Sequence, residues 1–185
     1  VVKADVRMAE VLARALRDRE HPPRRDVVLS LDGLRLRLSR RECRHVIERV
    51  QRKKGTHNEK RPLIERMIVD RLLAQYRNQM TRTQRELLTL DDVDGGYDAQ
   101  VARSLARGDA PPPEWEREMR GRIRRVPEVR SLLERMWPVL SGAELVHDLF
   151  SFRGLVRSAT EGVLPREMAA RLERPRSASV QDVPW

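Results

Sequence analysis

Between positions 27 and 38 the chain reads Val-Val-Leu-Ser-Leu, then Asp32-Gly33, then Leu-Arg-Leu-Arg-Leu. Alternation with a period of two places successive side chains on opposite faces of a strand. Asp-Gly supplies the two positive φ angles that a type I′ turn requires, and a two-residue loop of that type fixes the pairing. Leu31 therefore faces Leu34, Leu29 faces Leu36 and Val27 faces Leu38, with Ser30, Arg35 and Arg37 on the other face. An isolated hairpin is barely stable in water, so this apolar face must pack on another part of the chain.

The remaining sequence reads mainly as helices. Residues 4–19 place Ala9, Leu12, Ala13 and Leu16 at helical spacing, and Pro22-Pro23 ends the run. Ser39 and Glu42 form a capping box, followed by a buried stripe of Cys43, Val46, Ile47 and Val50. After a break at 53–58, a longer helix is expected from Pro62 to about Met80, with Ile64, Ile68, Leu72 and Tyr76 at steps of four. Thr83 to Glu86 offers a further capping box, then a short helix from Asp98 to Leu105 ends at Gly108. Pro111-Pro112-Pro113 makes a stiff connection. A helix from about Glu114 to Arg125 follows, and another carries Val129, Leu132, Leu133 and Met136 and closes at Trp137-Pro138. Ser141 and Glu144 cap a helix bearing Leu145, Val146, Leu149 and Phe150, and Pro165 opens the last one. The tail after Pro175 reads as extended and polar. The expected fold class is mainly α with one β-hairpin.

Charge narrows the partners. Lys and Arg number 38 against 28 Asp and Glu, a formal charge of +10. Such a balance favours a polyanion, either nucleic acid or an acidic protein surface. The plainer alternative is a solvated helical surface, because acids and bases are interspersed almost throughout. The exception is residues 86–102, which hold no Lys or Arg but carry Glu86, Asp91, Asp92, Asp94 and Asp98, with Gly95-Gly96 breaking any helix. This window reads either as a solvated loop or as an arm tip that meets something positive. It lacks the glycine and the closing glutamate of an EF-hand loop. Arg120, Arg122, Arg124 and Arg125 are candidates for phosphates or acidic surfaces; the alternative is a solvated helix end. Trp115, between two glutamates, is poorly placed to stack on a base.

Several chemistries are excluded or unsupported. Cys43 is the lone cysteine, so no internal disulfide or cysteine zinc cluster can form, which fits a reducing cytoplasm. Its helical, apolar position makes it core filler rather than a nucleophile. The four histidines, at 21, 45, 57 and 147, are far apart in sequence, and no His-Glu-x-x-His occurs. No Gly-x-x-x-x-Gly-Lys-Ser/Thr loop is present. No apolar run approaches the roughly 20 residues that span a bilayer, so no membrane partner is expected. No signal peptide is seen. A start at Val1 and a stop at Trp185 predict a piece of a longer protein.

Three stretches together resemble one family. The opening Lys3-Ala-Asp-Val-Arg-Met-Ala-Glu-Val-Leu-Ala-Arg-Ala looks like a segment of the HelD family, superfamily 1 UvrD-like ATPases that recycle stalled bacterial RNA polymerase. The hairpin with its following helix, ending at Thr56-His57-Asn58, resembles the next segment. Met136-Trp-Pro-Val-Leu-Ser-Gly-Ala-Glu-Leu-Val-His-Asp-Leu-Phe150 is similar to the family's Trp-Pro…Leu…Asp-Leu-Phe stretch. Asp182-Val-Pro resembles the run before its Walker B acids, although the family's tryptophan near Ala178 is missing and Trp185 stands where a leucine is usual. Residues 80–126 match least.

The resemblance implies a central fragment of a P-loop motor protein. Residues 1–60 would belong to the first motor domain, 61–138 to a helical insertion arm with an acidic apex, and 139–185 to the return. ATP and Mg would be held by the parent protein through a Walker A loop upstream and Walker B acids downstream, leaving this fragment non-catalytic alone. The partner would be RNA polymerase core, with Asp91, Asp92, Asp94 and Asp98 as a tip that probes its channel. A rival reading is a DNA-binding accessory domain of a UvrD-like helicase, using Arg120, Arg122, Arg124 and Arg125. An inert helical spacer is the third.

Overall fold

The structure is a computed structural model and describes residues 6–87 and 97–172. Among these residues it holds nine helices and one two-stranded antiparallel hairpin. In chain order they are α1 (Met8–Arg17), β1 (Val27–Leu31), β2 (Leu34–Leu38), α2 (Arg40–Gln51), α3 (His57–Leu87), α4 (Tyr97–Ala106), α5 (Pro113–Arg125), α6 (Pro127–Met136), α7 (Gly142–Ser151), α8 (Arg153–Thr160) and α9 (Arg166–Ala170). They form two compact units. Unit 1 joins Val1–His21 to Met136–Trp185, and unit 2 is the intervening Pro22–Arg135. The chain thus begins one unit, leaves it for the other, and returns. The hairpin and α2 lie in the same unit as α3, α4 and α5, and the first compact division falls between His21 and Pro22.

Unit 2 is organised around α3. It packs against β2, α2, α4 and α5. The hairpin adopts the register its sequence dictates, Val27 with Leu38, Leu29 with Leu36 and Leu31 with Leu34. Asp32 and Gly33 take φ of 51° and 77°, the two left-handed positions of a type I′ turn. Leu29, Leu36 and Leu38 are buried, whereas Ser30, Arg35 and Arg37 face out. Helix α3 supplies more than apolar cover. Gln75 Oε1 accepts from the Arg37 N–H at 3.0 Å and its Nε2 donates to the Arg37 carbonyl at 2.7 Å. Gln79 Nε2 donates to the Arg35 carbonyl at 2.8 Å. Two glutamines one turn apart therefore take the place of a third strand along β2 and satisfy an edge that would otherwise be left open.

Helix starts follow local chemistry. The expected boxes are present at Ser39/Glu42 and Ser141/Glu144. At Glu42 partial burial pushes the carboxyl up, but the Ser39 N–H and hydroxyl and the Arg71 guanidinium outweigh it and hold the group below its usual range. Helix α3 begins five residues before Pro62, because Thr56 and Glu59 cap it as well. Glu59 Oε2 accepts from the Thr56 N–H at 2.7 Å, and the Glu59 N–H reaches the Thr56 hydroxyl at 3.4 Å. Gly55, at φ 117°, makes the preceding bend. The helix also runs through Thr83 to Leu87, so the expected cap at Thr83 is an interior helical position and no new helix starts there. Helix α5 starts with Pro113 in its first turn, where the absent N–H has no helical acceptor to lose.

Unit 1 has its own core. Met8, Val11 and Ala15 of α1 join Leu149 and Phe150 of α7, Val156 and Ala159 of α8, and Leu164 and Leu172 beyond. Arg19 pairs with Asp148 at 2.9 Å, and the Ser158 hydroxyl donates to Asp18 at 2.7 Å. Helix α8 has no counterpart among the sequence expectations. Its start at Phe152 has no side-chain cap, Gly154 weakens its first turn, and burial of Val156 and Ala159 against α1 stabilises it. The last helix starts at Arg166, with Pro165 in the N-cap position.

Candidate polyanion interface

Three arginines of α5 are committed within unit 2. Arg120 pairs with Asp70 of α3 and Arg122 with Asp32 of the hairpin turn. Arg124 Nε lies 2.7 Å from Glu65 Oε1 of α3. One turn before this series, Glu116 accepts from Arg77 at 3.0 Å. These pairs line α5 up on α3 and the hairpin while its apolar residues Trp115, Met119 and Ile123 are buried. Arg125 is exposed at the C-terminal end. An incoming phosphate at Arg120, Arg122 or Arg124 would have to displace a carboxylate already in place. Exposed pairs of this kind contribute about 0–1 kcal/mol each to stability, so their main effect is to occupy the guanidinium groups.

Helix α2 carries the opposite arrangement. Cys43, Ile47 and Val50 bury one side of it. At 3.6 residues per turn the other side presents Arg41, Arg44, His45, Glu48, Arg49 and Arg52, and all six are exposed. Lys53 and Lys54 continue the exposed series beyond the helix end. Residues 40–54 hold seven cations (Arg40, Arg41, Arg44, Arg49, Arg52, Lys53 and Lys54) against Glu42 and Glu48. Glu42 is turned inward to Ser39 and to Arg71, whose Nε lies 2.6 Å away. No cation of this face has an ion pair among the described residues, in contrast to the arginines of α5. The composition points to a polyanion, but sequence reasoning missed this location. The available signal was Arg40-Arg41, Arg44, Arg49 and Arg52-Lys53-Lys54 projected on the helix set by Cys43, Ile47 and Val50.

The other candidates separate clearly. Asp91, Asp92 and Asp94 lie outside the described residues. Asp98 is the second residue of α4. Among the described residues no group of three His, Cys, Asp or Glu side chains could hold a metal ion, and no helix is long and apolar enough to cross a membrane. His45 is exposed on the basic face of α2, and His147 is half-buried on α7.

Cys43 is fully buried. Burial pushes its thiol up to about 12, and the nearby Glu42 and Asp26 carboxylates add to the rise. A thiolate is the reactive form, so folded protein should resist a thiol reagent such as iodoacetamide at pH 8 and react stoichiometrically once unfolded in urea. Mass spectrometry of the alkylated chain reads the difference, and fast labelling of folded protein would contradict the burial.

No protein-family model matches the chain, and no curated protein does.

Proposed function

We propose that the chain is a central portion of a HelD-like superfamily 1 motor protein, and that its helical arm, residues 61–138, engages bacterial RNA polymerase and helps release it from nucleic acid. The observation that carries this reading is the interrupted topology. The opening stretch that resembles the family and the Met136 to Phe150 stretch both fall in unit 1, while the weakly matched 80–126 region falls in unit 2, together with the hairpin stretch that also resembles the family. A second compact unit inserted between two segments of the first is the organisation that such an insertion requires. ATP and Mg would belong to other residues of the parent protein. The described residues do not fit either group, since they include no phosphate-cradling loop and no acidic metal cluster. By the same resemblance, Asp91, Asp92, Asp94 and Asp98 would form the tip that probes a basic channel of the polymerase.

The test is capture of purified polymerase core by the immobilised chain. Wild-type chain should retain core enzyme, and Asp91→Asn, Asp92→Asn and Asp94→Asn together should weaken retention at least several-fold. Equal retention by the triple variant would remove the acidic tip, and no retention by the wild type would remove the polymerase reading itself. The rival reading, a DNA-binding accessory domain built on Arg120, Arg122, Arg124 and Arg125, is less well supported because three of those four guanidinium groups are already paired.

A further inference from the structure

We infer that the solvent face of α2, continued by Lys53 and Lys54, is a binding site for the phosphate backbone of nucleic acid. The site is independent of polymerase binding. Its first support is geometric. Arg41 and Arg52 stand eleven residues apart on one face, about 16 Å along a helix. One strand of duplex DNA presents a phosphate about every 3.4 Å of axis, so this face spans roughly five of them. The second support is the contrast in pairing. Arg120, Arg122 and Arg124 of α5 have carboxylate partners, whereas Arg41, Arg44, Arg49, Arg52, Lys53 and Lys54 have none among the described residues. The third is what the face lacks. Stable protein–protein interfaces have an apolar centre, and this row of Arg41, Arg44, His45, Glu48, Arg49 and Arg52 holds no apolar residue. Its affinity must come from charge, and release of condensed counterions from a dense, regular polyanion supplies that. Tyr, Trp and Phe are also absent from it, so it has no stacking platform for unpaired bases.

The experiment is fluorescence anisotropy of the whole chain with a labelled random-sequence duplex of about 20 base pairs across a salt series. Binding should weaken linearly in log affinity against log salt. In Arg41→Gln/Arg44→Gln/Arg52→Gln the slope should flatten by about 2.7, at roughly 0.9 for each phosphate no longer neutralised. These positions are exposed and Gln is close to Arg in helix propensity; unchanged circular dichroism and melting confirm that the variant folds. The comparison variant, Arg120→Gln/Arg122→Gln/Arg124→Gln, removes the same charge from α5 and should leave the slope unchanged. The inference is overturned by absence of duplex binding at low salt, by an unaltered slope in the α2 variant, or by the larger change appearing in the α5 variant. It is also overturned if polyglutamate of equal charge displaces the duplex as well as unlabelled duplex does, because that outcome assigns the face to an acidic protein. Polymerase capture, measured separately, leaves this result unaffected in either direction.

Discussion

Trp115→Ala should destabilise unit 2 by about 3–5 kcal/mol, the range for removing a buried Trp or Phe from a core. Trp115 is 2 % exposed, in the first turn of α5. Its ring lies 6.2 Å from that of Tyr76 at an interplanar angle of 41°, which adds an aromatic contact to its buried area. Both rings lie where α5 meets α3, so the loss should not be confined to a helix end. For a unit of this size the melting temperature should fall on the order of 10 °C or more. Trp115→Phe should recover part of that loss because it restores an aromatic ring. Thermal melts followed by circular dichroism would measure both. A drop of less than about 2 °C for the alanine variant, well under the range expected for a buried aromatic, would show that Trp115 does not anchor α5 on α3.

Asp32→Ala should cost about 2–3 kcal/mol, a large effect for a surface turn. Three requirements meet at this residue. It holds φ at 51°, where most side chains clash and Asp or Asn is tolerated. Its Oδ2 accepts from the Tyr76 hydroxyl at 2.9 Å, and its Oδ1 accepts from Arg122. Alanine removes both acceptors and strains the turn, leaving Tyr76 without this partner where it is nearly buried. Asp32→Asn keeps the backbone preference and one oxygen acceptor, which can serve the Tyr76 hydroxyl, and gives up the charge and the second acceptor that meet Arg122. It should therefore cost less than half as much as alanine. Urea unfolding would show the alanine midpoint well below that of asparagine, with equal slopes for the two. Equal midpoints for the two variants would mean that the carboxylate, lost in both, and not the backbone preference of the turn, sets the stability there.

The same residue shows what a sequence can reveal here. As half of Asp-Gly, Asp32 announces a type I′ turn, and the alternating leucines fix the register, because both signals lie within twelve consecutive positions. The caps at Ser39 and Ser141 are equally local. The second role of Asp32, holding Arg122 across 90 positions, cannot be seen in the sequence. Asp70 with Arg120 and Glu65 with Arg124 are long-range pairs of the same kind. A cluster of four arginines therefore reads as free charge until the fold brings its carboxylates to it. Thr56 and Glu59 were legible as a cap, but Pro62 is the more prominent start signal. Helix α8 was not legible, since its uncapped, Gly-containing sequence depends on tertiary burial. The basic face of α2 was legible only on projection, because its cations are spread among buried positions three and four residues apart. Of the acidic window, Asp91, Asp92 and Asp94 lie outside the described residues, so the reading of that tip rests on sequence and resemblance.

The central claim is that the helical arm of residues 61–138 is the inserted element that meets the polymerase. Hydrogen–deuterium exchange of the chain, with and without purified polymerase core, tests it most directly. We predict slowed exchange in peptides from residues 61–138, including the acidic window, with Met8–Arg17 and Gly142–Thr160 unchanged. Protection confined to those unit 1 peptides, or no protection anywhere at saturating core enzyme, would contradict it.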